Sequence, residues 1–327
     1  MVLIAREARA KTPSSSPPGA GPDRGYYGSP AGARAGKIKH IIIVVVAVAN
    51  ISTASIFVRL AGVHGFVAAS WRLILSSAAT LAYLAFLGRG ELAYRAWMAP
   101  YILLSGAALA LHFGLWMMSL SHLTVAASVT IVDSYPALMV VLGRLMGERY
   151  TPLQVRGALT AMAGVAGLAL YSSGLRIAPP GGDPALGAVL ALAGMVCVAV
   201  YFAVGKMLRR HLSTAAYTGP VYAVAALVAS AITLLLGHSL TGYPARAYLY
   251  LAGLAVFPML GGHTLINYAM KRLSLLAATV PVLGEPVGAA VLAWIVLGER
   301  LDPGTVVWMA VTVLGIGLVL AEEARSG

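Results

Sequence analysis

Residues Leu275–Pro303 read LLAATVPVLGEPVGAAVLAWIVLGERLDP, an apolar segment with a single acid, Glu285, before its final charged turn. That turn is Gly298-Glu299-Arg300, and a proline follows it closely. A second copy of the pattern lies upstream at Thr124–Pro152, which reads TVAASVTIVDSYPALMVVLGRLMGERYTP. The two copies are 151 residues apart. Their agreement indicates an internal repeat, the first feature to look for in a chain of this length.

The same spacing of 151 residues relates further pairs of identical residues, both inside and outside the two copies. It pairs His112 with His263 and Gly164 with Gly315, as well as Val129 with Val280 and Ala126-Ala127 with Ala277-Ala278. One ungapped spacing holds from His112 to Gly164, so chance is a poor explanation. We interpret the pattern as a duplication of one structural unit.

The composition indicates a membrane protein. The chain has 327 residues, of which 59% are hydrophobic and 10% charged, and its mean hydropathy is +0.84. A soluble domain carries about 25% charged residues, and apolar runs of about 20 residues match the thickness of a bilayer core. The sequence predicts ten spans, at about 40–60, 66–88, 97–119, 124–146, 153–173, 184–207, 214–237, 247–269, 275–297 and 304–321.

The repeat divides these spans into two groups of five. Residues 1–36 are rich in Pro, Gly, Ser and Arg, which predicts a disordered basic tail. The first repeat is then 37–176, a linker covers 177–183, the second repeat is 184–321, and 322–327 form a short C-terminus. An odd number of spans per repeat inverts the second copy, an arrangement typical of secondary transporters with a site at the midplane. We therefore predict an all-α polytopic membrane protein with ten transmembrane helices, arranged as two inverted five-helix repeats around a central cavity.

Charge predicts the orientation, because cytoplasmic loops collect Lys and Arg. With the N-terminus inside and the tail left out, 11 basic residues fall on the cytoplasmic side and 4 outside. We expect a multi-pass protein of the cell (plasma) membrane with both termini cytoplasmic. Topology thus explains the net charge of +12, and no nucleic-acid partner is expected. Cys197 is the one cysteine, so an internal disulfide is impossible.

Several short motifs resemble a known family. Both Gly-Glu-Arg turns precede a Gly-rich segment, Trp71-Arg72 lies early in the second span, and Glu285-Pro286 lies in the ninth. Together they resemble the EamA-type family of the drug/metabolite transporter superfamily. The resemblance implies a cavity lined mainly by spans 1, 3, 4, 6, 8 and 9. It also implies transport, often export, of small metabolites by alternating access without ATP. The sequence contains no G-x-x-x-x-G-K-[ST] phosphate loop, which agrees with that expectation.

Two acids near the middle of predicted spans are functional candidates, because an ionisable group there costs about 2.5–3.5 kcal/mol to insert. Asp133 and Glu285 could each carry a proton, pair with a cationic substrate, or merely bond to a neighbouring helix. The repeat spacing matches Asp133 with Gly284, which turns the two acids about 100° apart on their helices unless a local shift realigns the two prolines. Pro136 and Pro286 remove backbone donors and predict kinks that serve either as hinges or only as shape.

Polar and aromatic side chains suggest a pocket at equivalent depths of the two repeats. His112 and Trp116 are four residues apart and share a helix face, as do His263 and Asn267. The histidines could titrate or bind substrate, or bond to backbone carbonyls. Trp116 could offer a flat face to an apolar or cationic ligand.

Three further residues are candidates for binding or coupling. Asn50 makes the first span polar and bonds back to its own helix less easily than Ser or Thr does. Tyr201 could stack on a ligand or bond to a neighbouring helix. Arg72 could extend to the membrane surface, or pair with an acid or an anionic substrate. No H-E-x-x-H motif is present, so we expect neither a metal site nor a cofactor.

We therefore expect a non-enzymatic transporter, and more specifically an exporter, of a small organic solute such as an amino acid or a drug-like molecule. Proton coupling, uncoupled flux and homodimer formation all remain open. The alternatives are a membrane enzyme that uses buried His and carboxylate groups, or a membrane scaffold without transport activity.

Overall fold

The computed structural model describes residues 30–86, 94–174, 177–292, 294–295 and 301–326. Within these residues, ten helices are long and apolar enough to cross a membrane, as the sequence predicts. We number them α1 Ala35–Ala61, α2 Gly65–Phe86, α3 Ala96–Ser119, α4 Ala127–Leu145, α5 Pro152–Ser172, α6 Pro184–Leu208, α7 Thr214–Leu235, α8 Ala245–Ala269, α9 Leu275–Leu292 and α10 Pro303–Arg325.

The first helix begins earlier than predicted. The chain is helical from Pro30 to Ile51, so residues 30–36 do not belong to a disordered tail. Proline is favoured in the first turn of a helix, and the Ala, Arg and Lys residues that follow are good helix formers. The rest of the predicted tail, residues 1–29, lies outside the described residues.

Equivalent sequence signals start the last helix of each repeat. The Thr151 side chain accepts a hydrogen bond from the Gln154 N–H, and Pro152 then begins α5. Asp302, which lies 151 residues later, accepts from the Gly304 N–H before Pro303 begins α10. The capping side chain accepts a hydrogen bond from a first-turn backbone N–H that has no partner within the helix. The proline that follows fixes the backbone φ angle at the first helical position.

The helices pack with a pseudo-two-fold arrangement. Helix α2 packs on α7 and α5 on α10, while the α1–α8 contact matches the α6–α3 contact of the other repeat. At the α5–α10 crossing, a Cβ on Gly164 would collide with Thr312, and a Cβ on Gly315 would collide with Ala161. The spacing of 151 residues exchanges these two contacts. The two repeats are therefore inverted copies that meet around a common centre.

The ends of the bundle are defined by contacts between distant segments. The Lys37 ammonium donates to the Ser326 carbonyl at 3.0 Å, so the two described chain ends meet at one face, which we call the inner end. At the opposite face, the outer end, the rings of His64 and His238 stack with centroids 3.9 Å apart. The Gly298-Glu299-Arg300 turn lies outside the described residues. Which face meets the cytoplasm remains a prediction.

Four helices are interrupted near the middle of the bundle. Helix α1 has a turn at residues 52–53, and α4 breaks between Asp133 and Pro136. A π-helical segment, Ala255–Thr264, lies within α8, and a 3₁₀ segment, Val280–Gly284, lies within α9. Irregular backbone at membrane depth is tolerated where it is buried in protein or lines a cavity. These interruptions therefore mark the place to search for a site.

Candidate functional site

A cavity of about 30 Å³ lies among the interrupted helices, enough space for about two water molecules. Helices α1, α3, α4, α6, α8 and α9 all contribute to its wall, as the family resemblance implies, and α2 adds one residue. The lining residues are Ile51, Ala54, Arg72, His112, Phe113, Trp116, Val129, Val132, Asp133, Tyr135, Val198, Phe202, His263, Val282 and Glu285. Six of the nine predicted binding or coupling residues are among them.

The two carboxyl groups face the same cavity despite their unequal positions in the repeats. Asp133 is the last residue of the outer segment of α4, and Glu285 is the first residue of the last segment of α9. Both side chains are buried. The breaks beside them remove the simple 100° offset expected of two continuous helices. Pro136 and Pro286 each occupy a first turn, where the missing N–H leaves no unpaired acceptor.

The cation of the cavity is Arg72, whose side chain is 1% exposed. It therefore does not extend to the membrane surface, which was one of the two predicted alternatives. Its guanidinium carbon lies 4.0 Å from the centroid of the Phe113 ring, a cation–π contact. Among the described residues, the oppositely charged side chains that lie within 4.0 Å of each other are those of Glu148 and Lys206. Arg72 is therefore not in direct contact with a carboxylate of the cavity.

The two histidines related by the repeat meet at the cavity, with ring centroids 6.3 Å apart. His112 Nδ1 lies 3.1 Å from the Gly194 carbonyl oxygen, which fixes the ring. The His263 ring stacks on Phe202 with 5.8 Å between the centroids. Trp116 stacks parallel to His112. This arrangement gives the cavity an aromatic wall with ring nitrogens at its surface.

Three predicted residues do not line the cavity. The Asn50 amide donates to the Val46 carbonyl at 2.9 Å, so it does bond back to its own helix, contrary to our expectation. The Asn267 amide donates to the Tyr201 hydroxyl at 2.6 Å and to the His263 carbonyl at 2.8 Å. Tyr201 and Asn267 therefore support the cavity wall from behind rather than face its interior.

Three aromatic cavity residues, Phe113, Tyr135 and Phe202, were not among the predicted site residues. An aromatic residue in an apolar helix looks the same in sequence whether it faces a cavity or a neighbouring helix. Tyr135 carried a usable signal, because it lies between Asp133 and the helix-breaking Pro136.

Buried polar atoms without a protein partner cluster at this cavity. Among the described side chains, six buried nitrogen or oxygen atoms have no hydrogen-bond partner. Five of them belong to cavity residues: Arg72 Nε, Trp116 Nε1, Asp133 Oδ2, the Tyr135 hydroxyl and His263 Nδ1. An unsatisfied buried polar group costs about 1–3 kcal/mol. A site that retains five such atoms, both donors and acceptors, suits a polar ligand or bound water.

The cavity is closer to open space on the outer side. Two cavities of about 310 and 420 Å³ reach the outer end, and Ser55 lines both. The larger one shares Val129 and Glu285 with the central cavity and extends to Asp302. Hydrogen bonds from Thr305 and Tyr171 lower the pKa of Asp302 to about 2, so a negative charge persists at this mouth.

The inner end is closed by a charged cluster. Glu148 Oε1 lies 3.2 Å from the Lys206 ammonium, and Glu148 Oε2 accepts from the Leu275 N–H at 2.8 Å and the Tyr150 hydroxyl at 2.7 Å. Lys206 also donates to the carbonyl of Met270 at 2.9 Å. These contacts join α4, α6, α8 and α9. The described conformation is therefore tied together on the inner side of the cavity.

Comparisons with known proteins agree with this architecture. A match to one solved crystal structure has a TM-score of 0.72 and 21% identity, and it covers 87% of this chain and 98% of the other chain. At this identity the match shows only that the two proteins share a fold. A protein of Streptantibioticus cattleyicolor named "Probable terminal-alkyne amino-acid exporter" is 28% identical over 205 residues, or 61% of this chain. That match spans 65% of the relative's length, just under two thirds. The EamA-like transporter family matches twice, over residues 38–170 and 185–321, and the chain belongs to this family.

Proposed function

We propose that the protein is a secondary transporter that exports a small zwitterionic solute of the amino-acid type without using ATP. The observation that carries the proposal is the set of unpartnered polar atoms of Arg72, Asp133 and their neighbours around one cavity. Transport sites of inverted-repeat proteins lie near the midplane, where the repeats meet. The aromatic wall, the guanidinium of Arg72 and the carboxyl groups of Asp133 and Glu285 suit a solute with a carboxylate, an ammonium and an apolar side chain.

Each part of such a solute has a complementary group. The guanidinium of Arg72 can donate two parallel hydrogen bonds to a carboxylate, and the Phe113 ring holds it in position. The carboxyl group of Asp133 can accept from an ammonium. The faces of Trp116 and Phe202 offer apolar contact to the rest of the molecule. The name of the relative, an amino-acid exporter, supports both the solute class and the direction.

The transport cycle requires the cavity to expand. Sites for small molecules usually measure about 300–1,000 Å³, whereas this cavity measures about 30 Å³. Bending at the breaks before Pro136 and Pro286 would widen it, and alternate release of the inner and outer ends would then move the solute. Proton exchange at Asp133 or Glu285 would couple this cycle to pH. Without such exchange, the same movement gives facilitated flux.

The test is solute selectivity in proteoliposomes that contain the full chain. We expect flux of radiolabelled phenylalanine to be inhibited by unlabelled phenylalanine. Phenethylamine lacks the carboxylate and N-acetylphenylalanine lacks the ammonium, so each should inhibit at least tenfold less well. Losing one charge-assisted hydrogen bond costs about 1.5–3 kcal/mol, and tenfold corresponds to about 1.4 kcal/mol.

Substitutions connect this selectivity to the cavity. Arg72→Gln should raise the KM for phenylalanine at least tenfold and should remove the preference for phenylalanine over phenethylamine. Asn50→Ala changes a polar membrane residue outside the cavity and is the matched control. Equal inhibition by all three compounds would contradict the zwitterion hypothesis. Chemical conversion of the solute without flux would instead favour an enzyme.

A further inference from the structure

Three of the five unpartnered polar atoms at the central cavity have no role in the function proposed above. Arg72 Nε and Asp133 Oδ2 belong to the groups that would bind the carboxylate and the ammonium of the solute. The other three atoms are Trp116 Nε1, the Tyr135 hydroxyl and His263 Nδ1, each on a side chain that is at most 6% exposed and lines the cavity. These atoms are available to the rest of the solute.

Trp116 is the most restrictive of the three residues. An indole N–H can only donate a hydrogen bond, whereas a hydroxyl both donates and accepts, and an imidazole nitrogen does one or the other according to its tautomer. The Trp116 ring is stacked on the His112 ring, with centroids 6.5 Å apart and planes within 10° of parallel. The Trp116 N–H is therefore complementary to an acceptor on the molecule that occupies the cavity.

His112 supplies an acceptor on the same face of α3. Its Nδ1 lies 3.1 Å from the Gly194 carbonyl oxygen, and because a carbonyl oxygen only accepts, Nδ1 carries the proton. In the neutral ring, Nε2 is then left with a lone pair. Trp116 follows His112 by four residues, so α3 presents a donor and an acceptor one helical turn apart, and both residues line the cavity.

The position of Trp116 fits contact with a side chain of the solute. The Arg72 guanidinium carbon lies 4.0 Å from the centroid of the Phe113 ring, which places the carboxylate site beside that ring. Trp116 follows Phe113 by three residues, which is about 4.5 Å along a helix. A solute whose carboxylate is bound by Arg72 can therefore reach Trp116 with its side chain.

We infer that the transported solute carries, on its side chain, a neutral group that both accepts and donates a hydrogen bond, such as a hydroxyl or a carboxamide. This group would accept from Trp116 Nε1 and donate to His112 Nε2, and its assignment rests on the function proposed above. A site that is built to hydrogen-bond a polar group discriminates against an apolar analogue, because the buried groups of the site are then left unpaired. One such unpaired group lowers affinity about 5–150-fold.

The test adds matched pairs of competitors to the phenylalanine flux assay with the full chain in proteoliposomes. Threonine is compared with valine, asparagine with leucine and tyrosine with phenylalanine, which offers the polar group at three distances from the head group. We expect the polar member of at least one pair to inhibit at least fivefold better than its apolar partner.

A substitution assigns this preference to the indole nitrogen. In Trp116→Phe, the two members of the preferred pair should inhibit within twofold of each other. Trp71→Phe is the matched control, because the Trp71 N–H donates to the Leu240 carbonyl at 2.8 Å outside the cavity, and it should keep the preference. The ratio within a pair is the readout, since a purely structural effect of Trp116→Phe would weaken both members alike.

A preference below fivefold in all three pairs would overturn the inference, and this comparison uses the unmodified chain, so it does not depend on the folding of a variant. A preference that survived in Trp116→Phe would also overturn it. Flux of labelled phenylalanine without any such preference would refute the inference alone. If none of the six compounds were transported when labelled, the proposed function would fail and the inference would fail with it.

Discussion

The charged cluster at the inner end gives the most specific prediction about how this protein moves. If Glu148 and Lys206 hold that end closed, Glu148→Gln should increase the population of inward-open molecules. The substitution preserves the shape of the side chain and an acceptor for the Leu275 N–H, but it removes the charge that faces Lys206. It therefore isolates the contribution of the ion pair.

The magnitude follows from burial. The side chains of Glu148 and Lys206 are 14% and 12% exposed, between the fully exposed and fully buried cases. Exposed pairs contribute about 0.2–1 kcal/mol, and breaking a buried pair costs about 3–5 kcal/mol. We expect about 1–3 kcal/mol, which is a 5–150-fold change in the equilibrium. Glu148→Ala should have a larger effect, because it also removes the acceptor for Leu275 and Tyr150.

The assay is the labelling rate of a buried cysteine in lipid nanodiscs. In a Cys197→Ser background, cysteine replaces either Ala277 in α9 or Met139 in α4, both of which are fully buried. The labelling rate of such a residue by a maleimide follows the population of the open form. Opening of the whole inner end should accelerate labelling at both positions 5–150-fold, whereas fraying of α9 alone should affect only position 277.

Matched variants decide the outcome. Lys206→Met should accelerate labelling as Glu148→Gln does, and Arg156→Gln, at the same end but outside the cluster, should not. If Glu148→Gln and Lys206→Met both left the two rates within twofold of the parent, the cluster would not hold the inner end closed.

Three further predictions concern packing, pH and coupling. Gly315→Ala should lower stability by about 1–3 kcal/mol in thermal unfolding, because its Cβ would collide with the backbone of α5; Gly317→Ala, with open space at that position, should not. Burial and the neighbouring His238 lower the pKa of His64 below 6.5. The contribution of neutral His64 to folding stability is therefore complete above pH 6.5 and is lost as the pH falls and the ring takes up a proton. With His64→Gln, the melting temperature should decrease less between about pH 7.5 and about pH 5.5. If protons are coupled to transport, Asp133→Asn or Glu285→Gln should abolish the pH dependence of solute flux, and dependence that survived both changes would refute coupling through these groups.

The fold could be predicted almost completely because it depends on repeating, additive signals. Ten apolar runs, a constant spacing between motifs and proline after a capping residue are all visible in a single sequence. The main error, at Pro30–Gly36, arose because composition suggested disorder where helix-forming residues continue α1 toward the inner end. There the Lys37 contact with Ser326 ties the helix to the C-terminal segment, and such a contact cannot be recognised from local sequence.

The site was harder to predict, because a helix face depends on local backbone geometry. The repeat spacing matched His112 with His263, which do meet. It also set Asp133 and Glu285 about 100° apart on regular helices, yet both line one cavity, because α4 breaks after Asp133 and α9 changes to a 3₁₀ segment before Glu285. Asn50 shows the opposite error: a polar residue in a span can satisfy itself within its own helix.

The contacts of Lys206 explain why the described conformation is closed at the inner end. Lys206 ties Glu148 and α8 together there, whereas Ser55 lines both of the cavities that reach the outer end. Inverted repeats alternate by exchanging their conformations, so the inner end can open only when the contacts of Lys206 break. The strength of this cluster therefore sets how often the inner end opens.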